Sequence, residues 1–284
     1  MYRITPLEPI DYLIIGHLTR DILPDGNRLG GTAAYSSLTA RALGLRVGIL
    51  TACEDCLSTP ELEAAGVQVV GLRSDETTTF ENRYTPNGRV QYLHQVAPGL
   101  DFSMIPEPWR NTPIVHLGPV AREVDPTLAR AFPDSFVGLT PQGWMRSWNT
   151  NGEVSFTEWP EAAFVLQYAD AAVMSIEDVL GNESIVEEMA SSTRVLVVTE
   201  GVNGCRLYWN GDVRRFRPPQ MTEIDPLGAG DIFAAAFFVR LANTRDPWEA
   251  ARFATNLAAF SVSRYGLDGV PQPDEIQTVM SEVF

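Results

Sequence analysis

Apolar residues gather along this chain in short blocks divided by polar punctuation. Residues 11–16 (DYLIIG) form an unbroken apolar run closed by glycine, the pattern of a parallel strand buried on both faces. Residues 46–51, 67–70, 114–118, 136–139, 171–174 and 194–199 repeat it. Between several of these runs the spacing turns helical: 33–43, stopped by Gly44, then 126–131, 161–168 and 177–191. Repeated strand–helix alternation predicts parallel pairing with right-handed crossovers, hence an α/β fold. Residues 77–93 alternate instead in the manner of a hairpin, with Pro86-Asn87-Gly88 at the tip, an excursion suited to a flap. Asn210-Gly211 joins two further short strands, 205–209 and 213–216, by the same two-residue logic. Near the end, 232–241 is apolar on every side and reads as a buried helix, and 248–265 is amphipathic and stopped by Gly266.

No repeat, low-complexity stretch or linker divides the 284 residues, so the expectation is one domain over 1–284 with lid elements near 20–30 and 72–100. Hydrophobic residues at 45% are enough for a large core. The net charge of −15 argues against nucleic acid and anionic membranes as partners, although a local pocket of backbone N–H groups can still bind an anion. No run of about 18 apolar residues occurs, and residues 1–12 lack the pattern of a signal peptide. A cytoplasmic protein is expected. Cys53 and Cys56 are the close pair among three cysteines. Without a second half to make a zinc site, they read as two reduced thiols.

The chemistry concentrates in residues 224–233 (IDPLGAGDIF). Gly228-Ala229-Gly230 allows a tight turn pressed close to a ligand, and the helix after it brings unpaired N–H groups and the positive end of its dipole to the same place. Asp231 is the odd member, since a carboxylate beside phosphate oxygens is repelled unless it removes a proton from the attacking group. A plain capped helix is the simpler reading of this stretch alone. Elsewhere, Thr19 and Asp21 come after the first strand, where open α/β sheets bind ligands, and Gly30-Gly31 leaves bare backbone for a substrate to lie against. A dinucleotide-binding dehydrogenase is disfavoured, because no GxGxxG succeeds the first strand.

Taken together, Gly30-Gly31, Thr199-Glu200-Gly201-x-x-Gly204 and Asp225-x-x-Gly-Ala-Gly-Asp231 resemble the ribokinase-like (PfkB) carbohydrate kinases in order and spacing over nearly the whole chain. The resemblance implies a three-layer α/β sandwich around a mostly parallel sheet with a small β lid, which leaves room for a homodimer through the lid. It implies ATP-dependent phosphorylation of a sugar or polyol hydroxyl with Mg2+. Asp231 would be the base, Gly228, Ala229 and Gly230 the anion hole, Thr199, Gly201, Gly204 and Asn256 the nucleotide contacts, and Asp21 with Thr19, Gly30 and Gly31 the acceptor site. Asp225 opens a loop that in some members holds a monovalent cation such as K+. Thr19, Thr32 and Tyr35 depart from the ribose-reading set, and Ser175-Ile176-Glu177-Asp178 departs from the Asn-x-x-Glu tied to magnesium. Residues 138–146 are similar to a stretch of inositol-kinase-like members, with Gln142 and Arg146 as acceptor or phosphate contacts; a surface loop is the competing reading. A non-catalytic nucleotide- or polyol-binding sensor of the same fold is the alternative function.

Overall fold

Leu13 and Ile15 of β1 (Tyr12–Ile15) pack into one apolar cluster, and Tyr12 and Ile14 into another on the opposite face. A strand that alternates between two apolar environments must lie inside a sheet covered on both sides. The computed structural model describes residues 7–24, 26–54, 56, 59–85 and 88–281. From β1 the chain enters a smaller sheet as β2 (Thr19–Leu23) and β3 (Gly26–Gly30), turns into α1 (Thr32–Ala42) and returns as β4 (Val47–Cys53). Next come α2 (Pro60–Ala64), β5 (Gln68–Arg73), the hairpin β6 (Thr79–Thr85) and β7 (Gly88–Gln95), then β8 (Ile114–Leu117) and β9 (Phe136–Leu139). A short ribbon of β10 (Arg146–Trp148) and β11 (Val154–Phe156) precedes α3 (Ala162–Leu166), β12 (Ala171–Ser175), α4 (Glu183–Ser192) and β13 (Val195–Thr199). The chain ends with β14 (Cys205–Trp209), β15 (Asp212–Phe216), α5 (Ala229–Thr244), α6 (Pro247–Ser261) and α7 (Pro273–Ser281).

Among the described residues, nine strands form the main sheet in the order β15-β14-β13-β12-β9-β8-β1-β4-β5. All neighbouring pairs are parallel except those of β14, which runs antiparallel to both β13 and β15. Helices α1, α5 and α6 cover one face, where Phe233, Phe237 and Phe238 meet Val173 and Val197. The other face carries Trp109, Trp144, Val165 and Val186 over Leu13, Leu117, Leu139 and Leu196. Helix α5 can be apolar all round because the sheet, α1 and α6 enclose it. The second sheet, β3-β2-β6-β7, is mixed, with β2 parallel to β6, and it stands at the carboxyl ends of the main strands.

Several expectations change in detail. The helix expected over 177–191 is broken: a 3-10 turn at Ile176–Val179 ends with Leu180 and Gly181 at φ 53° and 77°, and Asn182 caps α4 afresh. Residues 126–131 form a 3-10 helix, and α6 stops four residues before Tyr265. Thr19 and Asp21, after the first strand, lie in β2. Cys53 and Cys56 are joined as a disulfide instead of standing as two thiols, their Cα atoms 5.3 Å apart, within reach of that bond. Pro86 and Asn87 at the expected hairpin tip, and residues 1–6, lie outside the described residues.

Candidate active site

The main sheet reverses its winding beside β1: β4 and β5 lie to one side, and β8 begins the run on the other. Strand ends part at such a point and leave a crevice. Gly16 and Gly118 pack closely after β1 and β8, since a Cβ on Gly16 would strike the Gly118 carbonyl. A cleft of about 810 Å³ opens here, walled by the segments that leave β1, β8, β9, β12 and β13 and by the start of α5. Thr19, Asp21, Gly31, Gln142, Arg146, Thr199, Gly201, Gly204, Gly228, Ala229, Gly230 and Asp231 all line it.

Asp231 stands in the first turn of α5, half-buried, and interacts with Thr32 in the first turn of α1. The two helix heads are also tied by Ser36 Oγ donating to the Asp231 carbonyl at 3.2 Å. Burial raises the Asp231 pKa to about 6; Thr32 and Arg146 oppose the rise, and Asp178 and Asp21 add to it. Gly228 is the left-handed residue of the loop, at φ 83°, and a Cβ on it would strike the Tyr35 ring. Gly230 is helical, and a Cβ there would meet open cleft. The Ala229 N–H bends back to the Pro226 carbonyl at 3.2 Å. The donors that α5 presents by position are therefore those of Gly230 and Asp231.

Asp21 is buried, accepts from Thr19 Oγ1 at 3.0 Å, and is held above the ordinary carboxylate range by burial. Gly30 lies behind it rather than in the cleft wall; any side chain there would displace the Asp21 carboxylate. Arg146 crosses the cleft wall, donating from Nη1 to the Val120 carbonyl at 2.9 Å with its guanidinium over Phe80. Gln142 Nε2 donates to Asp178 Oδ1 at 2.9 Å, and the Ser175 N–H donates to Asp178 Oδ2 at 2.8 Å. From residues 138–146, Gln142 and Arg146 thus reach the cleft wall, and most of the others are buried rather than a surface loop.

Besides Gly30, two expected residues sit elsewhere. Asn256 is half-buried on α6 and outside the cleft lining, which takes Thr255, Ala258 and Ala259 from that helix. Asp225 also lies outside the lining. Its Oδ2 accepts from Arg28 Nη1 and the Gly266 N–H, both at 3.0 Å, and its Oδ1 from the Leu227 N–H at 3.0 Å. A guanidinium thus compensates this carboxylate, so a monovalent cation meets a competitor there instead of an open seat. Sequence reasoning missed Arg28, which lies behind the cleft wall and acts on Asp21 and Asp225. Arg28 faces Asp21 across the β2–β3 register, a pairing visible only once both segments are known to be strands.

Residues 158–274 match the pfkB family carbohydrate kinases. The chain is 39% identical over 80 residues to an inositol 3-kinase of Oryza sativa subsp. japonica, 28% of this chain and 20% of that protein, so it spans about a fifth of that relative. To a cytidine kinase of Thermococcus kodakarensis it is 24% identical over 287 residues, 90% of this chain and 98% of the relative. A solved structure of a pyrophosphate-dependent kinase of the ribokinase family, complexed with a pyrophosphate analog and myo-inositol, superposes with a TM-score of 0.78 at 22% identity, over 94% of this chain and 99% of that one. That likeness shows the fold: it is ribokinase-like, a three-layer sandwich on a mostly parallel sheet with a small β-sheet beside it.

Proposed function

We propose that this pfkB-family chain is an ATP-dependent kinase that transfers the γ-phosphate to a hydroxyl of a neutral cyclic polyol or sugar. The observation that carries the reading is Asp231: a carboxylate raised to about 6, at the head of α5 beside an open Gly230. A base in that range is charged at neutral pH yet holds a proton better than an ordinary aspartate, which suits proton removal from an attacking hydroxyl. The N–H groups of Gly230 and Asp231 and the dipole of α5 would stabilise charge on the phosphoryl group in flight. A sensor needs no such base, which ranks it second.

The far half of the cleft favours a nucleotide donor. Beyond Gly230 it continues between Ala258, Ala259 and Val262 of the α6 region and the segment at Pro218–Met221. Hydrocarbon on both sides fits a purine, and pyrophosphate has no use for it. Mg2+ commonly rides on donor phosphates with one or two carboxylates and several waters, so it needs no cage of protein ligands. Glu177 faces the cleft and would reach it, while Asp178 is taken up by Gln142 and the Ser175 amide. When bound, the ion would neutralise developing phosphate charge.

Asp21 and the small sheet favour a neutral acceptor. A buried carboxylate can accept hydrogen bonds from two neighbouring hydroxyls. Phe80, Asn82 and Gln91 of β6 and β7 overhang the cleft, where they would limit water and futile hydrolysis. Carboxylates outnumber cations at this end, which disfavours a sugar phosphate. The inositol named for two of the similar proteins is the first candidate. The test is ADP release from ATP, and transfer from pyrophosphate, with inositols, sugars, fructose phosphates and nucleosides, each repeated with Asp21→Ala. Turnover with ATP and a cyclic polyol that collapses in Asp21→Ala is the expected result. Pyrophosphate turnover without ATP turnover refutes the donor, and preference for a phosphorylated sugar refutes the acceptor class.

A further inference from the structure

Arg28 belongs to β3 of the small sheet, yet its guanidinium reaches the loop that leads into α5. There it pairs with Asp225, Nη1 to Oδ2 at 3.0 Å. The Arg28 side chain is 22% exposed and that of Asp225 14%, so solvent is poorly placed to replace a lost partner. The Gly266 N–H donates to the same oxygen and the Leu227 N–H to Oδ1, both at 3.0 Å. One carboxylate thus gathers three donors from β3, from the segment after α6 and from the approach to the glycine turn. That approach is pinned a second time, since Ile224 and Asp225 give their N–H groups to the Val262 carbonyl at 2.7 and 3.1 Å. Gly266 stands at φ 51°, and a Cβ on it would come within 2.9 Å of Arg28 Nη1, so the guanidinium lies against bare backbone.

A monovalent cation at Asp225 would need this carboxylate as an oxygen ligand. Both oxygens already accept from N–H groups, one of them from a full positive charge, so protons stand where the ion would need lone pairs. The residues present do not fit the ion. The need for positive charge persists all the same. Asp21, Asp225 and Asp231 act together on the Tyr35 hydroxyl, with Arg28 opposing them, and donor phosphates on the glycine turn would add to the negative side. Resting on the kinase reading above, we propose that Arg28 is a tethered counter-ion for Asp225, a positioning residue that fixes the approach to Gly228–Gly230, so that this protein needs no monovalent cation. Because β3 carries the charge, the sheet that holds Asp21 also supplies the counter-ion for the loop that would hold the donor.

The test compares potassium, sodium and tetramethylammonium chloride at one ionic strength. Unliganded wild type should melt at the same temperature in all three, and phosphoryl transfer from ATP to the best polyol should run at the same rate. Arg28→Ala should melt lower by about 4 °C or more in tetramethylammonium, because a carboxylate is left unpaired away from water. Its ATP KM should rise by about tenfold or more. Potassium should recover part of both losses in this variant, a free ion entering the space the guanidinium leaves. Arg28→Lys should recover part of them in every salt, since it keeps a charge on the tether. Recovery by either one supports the proposal. A wild type that potassium stabilises or activates beyond the other two salts overturns it. So does an Arg28→Ala protein that matches wild type in all three, or one whose losses neither potassium nor lysine reduces, since the side chain then acts by shape. If Arg28→Ala does not fold, the wild-type salt comparison still decides. Wild type inactive with every donor and acceptor would remove the kinase reading, while the melts would still judge the counter-ion.

Discussion

At one end of the cleft Asp21 is buried and Asp178 and Asp231 are half-buried, all three held above the ordinary carboxylate range chiefly by burial. At the other end Ala258, Ala259 and Val262 face the exposed segment at Pro219–Met221, and backbone glycines do most of the polar work. The first region is expensive, because charges are kept out of water before any ligand arrives. The second costs little, being hydrocarbon and open loop. Such a division suits a reaction in which one partner must be deprotonated and oriented and the other merely held by its phosphates and base. Substitutions at the two ends should therefore act on different kinetic constants.

The widest separation is expected from Asp231→Asn. Turnover should fall by about 10² to 10⁴, the range for losing a general base. ATP affinity should hold or rise, because a negative charge beside the phosphates has gone. Rapid-quench turnover and equilibrium ATP titration on one preparation measure both, and near-normal turnover would remove Asp231 as the base. Gly230→Val, one residue before Asp231 in the first turn of α5, should act on the donor instead. Its new side chain meets open cleft and not protein, so folding survives, yet it fills the space where phosphate approaches the head of α5. ATP KM should rise by at least about tenfold with the acceptor KM little moved. An unchanged ATP KM would show that phosphate does not lie against this turn.

The same contrast explains what the sequence disclosed. Strands such as 136–139 were legible to the residue, because both sheet faces are covered and the apolar run has no interruption. The glycine turn ahead of α5 was legible because glycines leave their mark in the chain itself. Arg28 was not, nor were the contacts of Asp178 and Tyr35, since each depends on a partner across the fold: Arg28 on Asp225 197 residues away, Asp178 on Gln142 36 residues away, Tyr35 on Gly228. Asn256 shows the reverse error. It lies on the right helix, but the cleft takes residues one position before it and two and three after it. The break at Leu180-Gly181 escaped helical spacing because a non-glycine residue adopts the left-handed turn.

The smallest effect expected from the acidic end is on stability, and its sign is opposite to that of most substitutions. The Asp231 pKa is raised from 3.8 to about 6 on folding. Between those pH values the folded protein holds a proton that the unfolded chain has lost, so this group makes stability fall as pH rises through that window. Above about 6 both states are ionised, and the folded state carries the full cost of a desolvated charge. Thr32 offsets part of it, and water reaches part of the side chain. The net cost at neutral pH is on the order of 1–3 kcal/mol. Asp231→Asn keeps an oxygen for Thr32 and removes the charge, so the inactive variant should melt a few degrees above wild type at pH 7.5, with the gap closing toward pH 4. Thermal melts of both proteins across that range, without ligand, provide the measurement. A gap that is absent at pH 7.5, or that widens toward pH 4, would mean that Asp231 is not held ionised against its surroundings, and the acidic end would lose the cost that sets it apart from the other.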